Sequence, residues 1–368
     1  MHQFDVKNAF LQRNLEEEAY VNVPLGYTFT HQNNVICSLK KSLYANGDHT
    51  LFIKRGDPNK VTALIVYADD IIITGDDIQE TKCLGQNLSR EFDIKYLGRL
   101  KYFLGIEVAY SKGVFLSQHK YILDLLQKTG NWNFDQVEKS SYRWLIERLI
   151  YLNHTRPDIT FAVNVLSQYT NDPRKIHLQT AYRLLKYLKT TTGQGILFKK
   201  GGNQSVESYT NANYAGSVID HRSTSGYCTF VCGNLVTWRS KKKQVVAQSG
   251  AEAKFRALAQ GIREDLWIRG LLDELRVNQS KHMKLFCDNK SAIAIARNPV
   301  QHDRTKHIEV DRHFIKEKVE TRDVDLIYVG TSEHVAGIFT KGLTRPVFQR
   351  LVSKLGMENI HTQLEKGC

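Results

Sequence analysis

The chain has 368 residues and a formal net charge of +13, with 51 lysine and arginine residues against 38 aspartate and glutamate residues. This length allows two or three domains, and the basic excess favours a polyanionic partner such as nucleic acid. A hydrophobic content of 42% with 6 prolines argues against a disordered chain. No apolar run reaches the roughly 18 residues of a membrane span. The cysteines lack zinc-site spacing and no signal peptide is recognisable, so we expect a cytoplasmic or nuclear protein that is neither secreted nor membrane-bound.

The first predicted elements carry three aspartates in two short segments. Asp5 lies in a short segment that ends on the aromatic Phe10. Residues 63–74 form two β-branched apolar runs separated by Tyr-Ala-Asp-Asp, which predicts a hairpin with Asp69 and Asp70 at its turn. Two adjacent carboxylates repel each other unless a cation neutralises them, and magnesium suits carboxylate oxygens. The alternative is an ordinary turn, where aspartate is favoured by local hydrogen bonding.

The middle of the chain has mainly helical patterns. From Gly113 onward we predict helices, among them residues 142–153, a helix after Arg156-Pro-Asp158 capped by Asp158, and residues 177–189. The last of these has an apolar face and an outward face with Arg183, Lys186 and Lys189. A turn-rich stretch at 190–203 predicts a domain boundary.

The C-terminal part alternates between strand and helix patterns. The predicted strands are residues 205–210, 227–232, 235–238, 283–287 and 324–329, and the predicted helices are residues 251–275, 291–297, 307–320 and 335–341. Such an order of strands and helices predicts a mixed α/β layer fold.

Three segments closely resemble Pol polyproteins of copia-type LTR retrotransposons, namely residues 2–11, 97–108 and 154–163. The resemblance implies an α+β chain with a partial reverse-transcriptase palm and a helical thumb or connection, followed by a ribonuclease H-like α/β domain with a mixed five-stranded sheet. The implied segments are a palm at 1–108, a thumb or connection at 109–200, a ribonuclease H-like domain at 201–345 and a C-terminal tail at 346–368. The family function is RNA-directed DNA synthesis with degradation of the RNA strand. The implied partners are an RNA template, a DNA primer and the RNA–DNA hybrid, and the oligomeric state stays open.

By this resemblance, Asp5, Asp69 and Asp70 are the catalytic carboxylates that hold two divalent ions, Mg²⁺ or Mn²⁺. Phe10 and Tyr67 occupy substrate-binding positions, although Phe10 is equally compatible with a core aromatic. Compared with the family, the nucleotide-contacting stretch after residue 44 is shortened. We also expect the family's fingers to be missing, and therefore primer extension at background.

The resemblance also places four carboxylates of a ribonuclease H site, in the order Asp, Glu, Asp and Asp. Here Asn211, Lys254, Asp288 and Gly337 occupy these positions, so that only Asp288 is retained. An amide is a poor magnesium ligand, lysine repels a divalent ion, and glycine offers no ligand at all. We therefore expect this domain to be catalytically inactive, with a fold that tolerates the changes because the site faces solvent.

A basic run at the end of one predicted strand is a candidate contact for nucleic acid. Lys241, Lys242 and Lys243 would neutralise backbone phosphates, the alternative being a solvated loop. Two functions thus stay open, an impaired reverse transcriptase with a ribonuclease H domain, and a non-catalytic nucleic-acid-binding relic or pseudogene product.

Overall fold

The chain is organised as two compact units, Met1–Phe103 with Asp273–Val277, and Leu104–Leu272 with Asn278–Cys368. The predicted boundaries after residues 108 and 200 do not coincide with this division, and the four-segment assignment stays a prediction. None of the described helices is long and apolar enough to cross a membrane. The computed structural model describes residues 1–6, 21–22, 36–37, 49–56, 60–67, 70–130, 132, 138–201, 204–217, 219–277, 282–297 and 309–359.

The first unit contains a five-stranded antiparallel sheet with the order β4-β5-β6-β1-β7. Its elements are β1 (His2–Val6), β2 (Val21–Asn22), β3 (Ile36–Cys37), β4 (His49–Arg55), β5 (Val61–Tyr67), β6 (Asp70–Gly75), α1 (Ile78–Glu91) and β7 (Ile94–Arg99). The predicted hairpin is confirmed, because β5 and β6 pair directly, with Tyr67 opposite Asp70. Among the described residues, β2 and β3 pair with each other in a separate two-stranded sheet.

Helix α1 begins where Asp77 accepts a hydrogen bond from the backbone N–H of Glu80 at 3.1 Å, as an N-cap does. Alternate residues of the central strands point to this helix, as the two-residue period of a strand requires. The resulting core consists of Phe4, Leu64, Ile71, Ile73, Leu84 and Leu88. The side chains of Asp5 and Asp70 therefore lie on the opposite face of the sheet.

The second unit begins with a sheet that the sequence did not predict. Strands β9 (Ile106–Tyr110), β10 (Gly113–Ser117) and β11 (Gln194–Lys199) pair antiparallel, after the two-residue β8 (Tyr102–Phe103). The prediction of helix from Gly113 onward is therefore wrong for the first five residues. Gly195 suggested a turn, but an added Cβ there would lie 2.2 Å from the carbonyl oxygen of Leu116, so this glycine permits close strand pairing.

Five helical segments form a layer in the second unit: α2 (His119–Thr129), α3 (Lys139–Leu152), a 3-10 helix (Pro157–Ile159), α4 (Thr160–Ser167) and α5 (Lys175–Thr190). Leucines and isoleucines at helical spacing bury their side chains between these segments, including Leu145, Ile146, Leu149, Leu185 and Leu188. The predicted cap role of Asp158 is wrong, because this carboxylate pairs with the Arg156 guanidinium, at 2.7 Å for the closest contact.

The predicted mixed five-stranded sheet is confirmed, with the order β14-β13-β12-β15-β16. Strands β12, β13 and β14 are antiparallel, whereas β12, β15 and β16 are parallel. The elements are β12 (Val206–Ala212), β13 (Thr224–Val231), β14 (Asn234–Lys242), α6 (Gly250–Glu274), β15 (Met283–Cys287), α7 (Lys290–Arg297), α8 (Glu309–Glu320) and β16 (Val324–Tyr328). The predicted helix at 335–341 is instead a 3-10 helix, Val335–Phe339.

The C-terminal residues form regular structure up to residue 359. Helix α9 (Arg345–Lys354) is followed by β17 (Met357–Asn359), which pairs with β11 through Met357 and Ile196. Leu351, Val352 and Leu355 are buried in a core shared with the 3-10 helix Val335–Phe339. This part of the predicted tail is therefore integrated into the second unit.

One buried carboxylate lies in the core of this unit. Asp265 on α6 is fully buried, and its Oδ1 accepts hydrogen bonds from Ser208 and, at 3.4 Å, from Thr229. Its Oδ2 has no hydrogen-bond partner among the described residues. Burial raises the pKa of Asp265 to about 8, because the charged form is poorly solvated there.

This raised pKa predicts a pH-dependent stability. The folded state keeps a proton that the unfolded chain releases, so the free energy of unfolding should fall as pH rises from about 4 to about 8, by at most about 1.4 kcal/mol per pH unit. Asp265→Asn should remove this slope and stabilise the protein near pH 8. Urea unfolding followed by tryptophan fluorescence measures it, with the exposed Asp273→Asn on the same helix as control. Equal slopes for Asp265→Asn and the unmodified protein would contradict the assignment.

Candidate functional site

The structure brings two of the three predicted polymerase carboxylates together. Asp5 on β1 and Asp70 on β6 are direct partners in antiparallel register, so their side chains lie on the same face. Directly opposed like charges destabilise a sheet unless a cation is present. The geometry therefore suits a hard cation bound by carboxylate oxygens.

Two further polar residues belong to this face. Gln3 donates a hydrogen bond from Nε2 to Oδ1 of Asp70 at 3.0 Å, which orients that carboxylate. Lys95 on β7 is the register partner of Asp5 on its other side and is exposed. Gln3 and Lys95 were not predicted, since only the strand register reveals that they adjoin the aspartates.

The remaining predicted palm residues have different outcomes. Tyr67 lies opposite Asp70 on β5, and its ring meets Phe103 edge to face with centroids 6.4 Å apart. Asp69 and Phe10 lie outside the described residues, and their assigned roles stay predictions.

The four predicted ribonuclease H positions converge in the second unit. Asn211 lies near the C-terminal end of β12, and Asp288 directly follows the adjacent parallel strand β15. Lys254 lies in the first turns of α6, and its Nζ forms an ion pair with Oδ1 of Asp288. An ideal Cβ on Gly337 would lie 3.9 Å from Nδ2 of Asn211.

Asp288, the one carboxylate retained among the four positions, forms an ion pair with Lys254. The side chain of Asp288 is only 2% exposed, and its second oxygen accepts a hydrogen bond from Oγ1 of Thr331 at 3.2 Å. Burial alone would raise the pKa of Asp288, but the Lys254 hydrogen bond and nearby positive charge hold it below its ordinary value. Both carboxylate oxygens thus have protein partners.

Asn211 is buried, which differs from the solvent-facing site expected from the sequence. Its Nδ2 donates to Oγ1 of Thr340 at 3.1 Å, and its Oδ1 accepts from the backbone N–H of Ala212 at 2.9 Å. Thr340 ends the 3-10 helix Val335–Phe339, and its carbonyl also accepts a hydrogen bond from Asn213. The end of this 3-10 helix is held over the C-terminal end of β12, because the amides of Asn211 and Asn213 donate hydrogen bonds to Thr340.

His334 is a residue of this site that sequence reasoning missed. The imidazole is fully buried, lies edge-on to the ring of Tyr209 and has Nε2 3.3 Å from the carbonyl oxygen of Phe286. Burial lowers the pKa of His334 to about 4 against the attraction of Asp288, so the ring is neutral near pH 7. The sequence offered one indication of this, because His334 lies only three residues before the predicted site position Gly337.

Other acids near these positions are engaged elsewhere. Glu252 pairs with Arg256 at 2.8 Å, Asp311 with Arg263 at 2.7 Å, and Glu333 with Lys354. Across the described ranges, no group of three or more His, Cys, Asp and Glu residues could hold a metal ion. The described residues around Asp288 do not fit the divalent ions expected from the resemblance.

The three lysines predicted to bind nucleic acid have unequal exposure. Lys241 is exposed, whereas Lys242 pairs with Asp220 at 3.0 Å. Lys243 donates to Oε1 of Gln260 at 2.8 Å, and burial lowers its pKa to about 8. Alternation along β14 places Lys241 and Lys242 on opposite faces of the sheet, and the predicted binding role of the three lysines stays a prediction.

Comparisons with known proteins address both units. Residues 45–138 match the family model of reverse transcriptase, described as RNA-dependent DNA polymerase. The chain is 35% identical over 98% of its length to the retrovirus-related Pol polyprotein from transposon RE1 of Arabidopsis thaliana, and 34% identical over 97% to that from transposon RE2. It spans 28% of the length of each polyprotein.

A solved structure is similar to part of the chain. LC11-RNase H1 in complex with an RNA/DNA hybrid is 15% identical, with 37% of this chain and 94% of that chain covered and a TM-score of 0.29.

Proposed function

Since the chain belongs to the Pol polyproteins of copia-type transposons, we propose that its first unit is a polymerase palm and that residues 201–345 of its second unit are a ribonuclease H-like module that binds the RNA–DNA hybrid without cutting it. The substrates of the palm are an RNA template and a DNA primer. Reverse transcriptases and ribonucleases H in general use divalent metal ions. The two candidate sites of this chain differ in whether they suit such ions.

The palm retains carboxylates that suit Mg²⁺ or Mn²⁺. Asp5 and Asp70 face each other across β1 and β6, and Asp69 directly precedes Asp70 in the sequence. A pair of such ions, when bound, activates the attacking 3′ oxygen and stabilises the leaving pyrophosphate. Gln3 would orient Asp70 for this role through its hydrogen bond.

The observation that carries the proposal for the second unit is the ion pair between Lys254 and Asp288. A lysine ammonium supplies a positive charge where two-metal chemistry needs a cation, but it cannot activate a water or bridge two phosphate oxygens as a metal does. Asn211 and Gly337 supply no compensating carboxylate. The site is therefore neutralised without a metal and lacks the groups that cleavage requires.

The test measures hybrid binding and hybrid cleavage with the same full-length protein. We expect a fluorescein-labelled RNA–DNA hybrid to bind with the same affinity in EDTA as in Mg²⁺ or Mn²⁺, within about twofold, and to stay uncut, because Lys254 replaces the ion. The Lys254→Gln variant should bind the hybrid more weakly in EDTA, because Asp288 then repels the backbone phosphates. Addition of Mg²⁺ should restore part of this binding.

Lys284→Gln is the matched control, because it removes one ion-paired, half-exposed lysine from β15, whose partner is Glu207 and not Asp288. It should leave the response to Mg²⁺ unchanged. Cleavage by the unmodified protein would show that the catalytic positions are misassigned. Absence of hybrid binding even at low salt would overturn the proposed function of the second unit.

A further inference from the structure

A cavity in the first unit lies between helix α1 and the strands β1 and β7, and neither candidate site uses it. Its volume is about 720 Å³, within the range of roughly 300–1,000 Å³ that small-molecule sites occupy. His2 and Phe4 line it from β1, where they alternate with Gln3 and Asp5. The cavity, which we call the α1 groove, therefore lies on the face of the sheet opposite the aspartate pair.

One side of the α1 groove is aromatic. The ring centroids of Phe4 and Tyr96 lie 5.1 Å apart, and those of His2 and Tyr96 lie 5.9 Å apart. Nδ1 of His2 is 2.8 Å from the hydroxyl oxygen of Tyr96, which holds these two rings together. Gly85 on α1 permits this packing, because a Cβ there would lie 2.9 Å from Cζ of Phe4. Such a wall suits an aromatic ligand, since aromatic rings pack offset or edge to face against one another.

The other side of the α1 groove is a ridge of α1 side chains that carries positive charge. This ridge has four-residue spacing, which places its members on one face of the helix, and consists of Ile78, Lys82, Gln86 and Arg90. All four residues are exposed. Burial lowers the pKa of His2, so its ring is neutral near pH 7 and the ridge supplies the charge of the groove.

This charge is not balanced by acids within the described part of the chain. No aspartate or glutamate described there lines the groove, and neither Lys82 nor Arg90 forms an ion pair there. The acids at the start of α1 have other partners. Asp76 accepts from the backbone N–H of Val61 at 2.6 Å, and Glu80 pairs with Lys54 at 2.7 Å. The groove therefore favours a ligand with negative charge.

We propose that the α1 groove binds a small aromatic anion, a flat ring system that carries a carboxylate or sulfonate group. The rings of this ligand pack between Ile78 and the aromatic wall, and its anionic group accepts hydrogen bonds from Lys82 or Arg90. Ile78 and Arg90 are about 18 Å apart along the helix axis, which leaves length for both parts of such a ligand. The inference does not depend on the proposed function, because it concerns the face of the sheet away from Asp5 and Asp70.

The test uses the full chain and two fluorescent probes of similar shape. Anilinonaphthalene sulfonate carries one anionic group, and phenylnaphthylamine is its uncharged analogue. Lys82→Gln/Arg90→Gln removes both cations of the ridge and keeps residues with good helix propensity. The charge-matched control, Arg55→Gln/Lys101→Gln, removes two exposed cations of the first unit that do not line the groove.

We expect the unmodified chain to bind the sulfonate at a single saturable site. In the Lys82→Gln/Arg90→Gln variant, the Kd of the sulfonate should rise about fivefold to tenfold, because two exposed charge interactions are lost. The Kd of the uncharged probe should change by less than about twofold, since the apolar contacts remain. The control variant should bind both probes as the unmodified chain does.

A second pair of variants tests the position of the ligand. Ile78→Asp places a carboxylate at the apolar end of the groove and should weaken sulfonate binding at least about fivefold, because like charges then face each other. Gln79→Asp adds the same charge at the adjacent exposed residue, which does not line the groove, and should leave binding unchanged. A carboxylate in the first turn favours a helix, so both variants should keep α1. Circular dichroism checks this.

Four results would overturn the inference. The first is the absence of sulfonate binding to the unmodified chain. The second is equal sulfonate binding by this chain and the Lys82→Gln/Arg90→Gln variant, and the third is an equal loss in the Arg55→Gln/Lys101→Gln control, which indicates bulk charge. The fourth is binding of both probes without saturation, which indicates general apolar surface. None of these results bears on the proposed function, which is tested by hybrid binding and cleavage.

Discussion

Replacing Arg156 by methionine should lower the free energy of unfolding of the second unit by about 3–5 kcal/mol, because the variant leaves a buried carboxylate without its counter-charge. The side chains of Arg156 and Asp158 are both 0% exposed. Two hydrogen bonds join them, at 2.9 Å and 2.7 Å, and Tyr187 donates a third to Asp158 at 2.6 Å. Arg156 also donates to the carbonyl oxygen of Thr191 at 2.9 Å. The pair therefore ties the 3-10 helix Pro157–Ile159 to the end of α5.

Urea unfolding followed by tryptophan fluorescence reports on this unit, since all four tryptophans lie in it. The control is Lys316→Gln, which breaks a partly exposed pair with Glu320 at 3.6 Å and should cost less than about 1 kcal/mol. Replacing Arg156 and Asp158 together by methionine and leucine should recover part of the loss. A loss below about 1 kcal/mol for Arg156→Met alone would show that this pair does not stabilise the fold.

Restoring the family carboxylates should turn the second unit from a binding module into a nuclease. We expect Asn211→Asp, Lys254→Glu and Gly337→Asp together to raise cleavage of the RNA strand in Mg²⁺ at least about a hundredfold above the unmodified chain. The backbone at 337 has room for a Cβ, which would meet no atom closer than 3.8 Å. Removing Lys254 also frees Asp288.

The matched control adds Asp288→Asn to the triple variant, which should return cleavage to background if the four positions act as one site. Cleavage is measured on a labelled hybrid, and tryptophan fluorescence establishes that the variants are folded. Asn211 is buried against Thr340, so the single Asn211→Asp change is the one expected to cost stability. A folded triple variant without cleavage would show that the arrangement of these four positions no longer supports the chemistry.

The sequence by itself determined those structural elements that depend on patterns among neighbouring residues. The apolar runs around Asp69 and Asp70 predicted the hairpin of β5 and β6, since alternation within a strand is a property of adjacent residues. The motif positions Asn211, Lys254, Asp288 and Gly337 likewise converge as the resemblance implied. The order of strands and helices predicted a mixed α/β layer fold, and the resemblance supplied the five-stranded sheet.

Tertiary structure decided what depends on residues distant in sequence. Gly195 suggested a turn, and only the approach of β10 shows that it lies within a strand. Asp158 suggested a helix cap, but Tyr187 and Thr191 complete a buried cluster around its pair with Arg156. Which partner a side chain contacts depends on the space and charge around it in the folded protein. The spacing of neighbouring residues in the sequence does not determine these. For the same reason, Lys254 on α6 contacts Asp288, which lies 34 positions later in the sequence. This contact, rather than either residue alone, neutralises the charge of the Asp288 carboxylate.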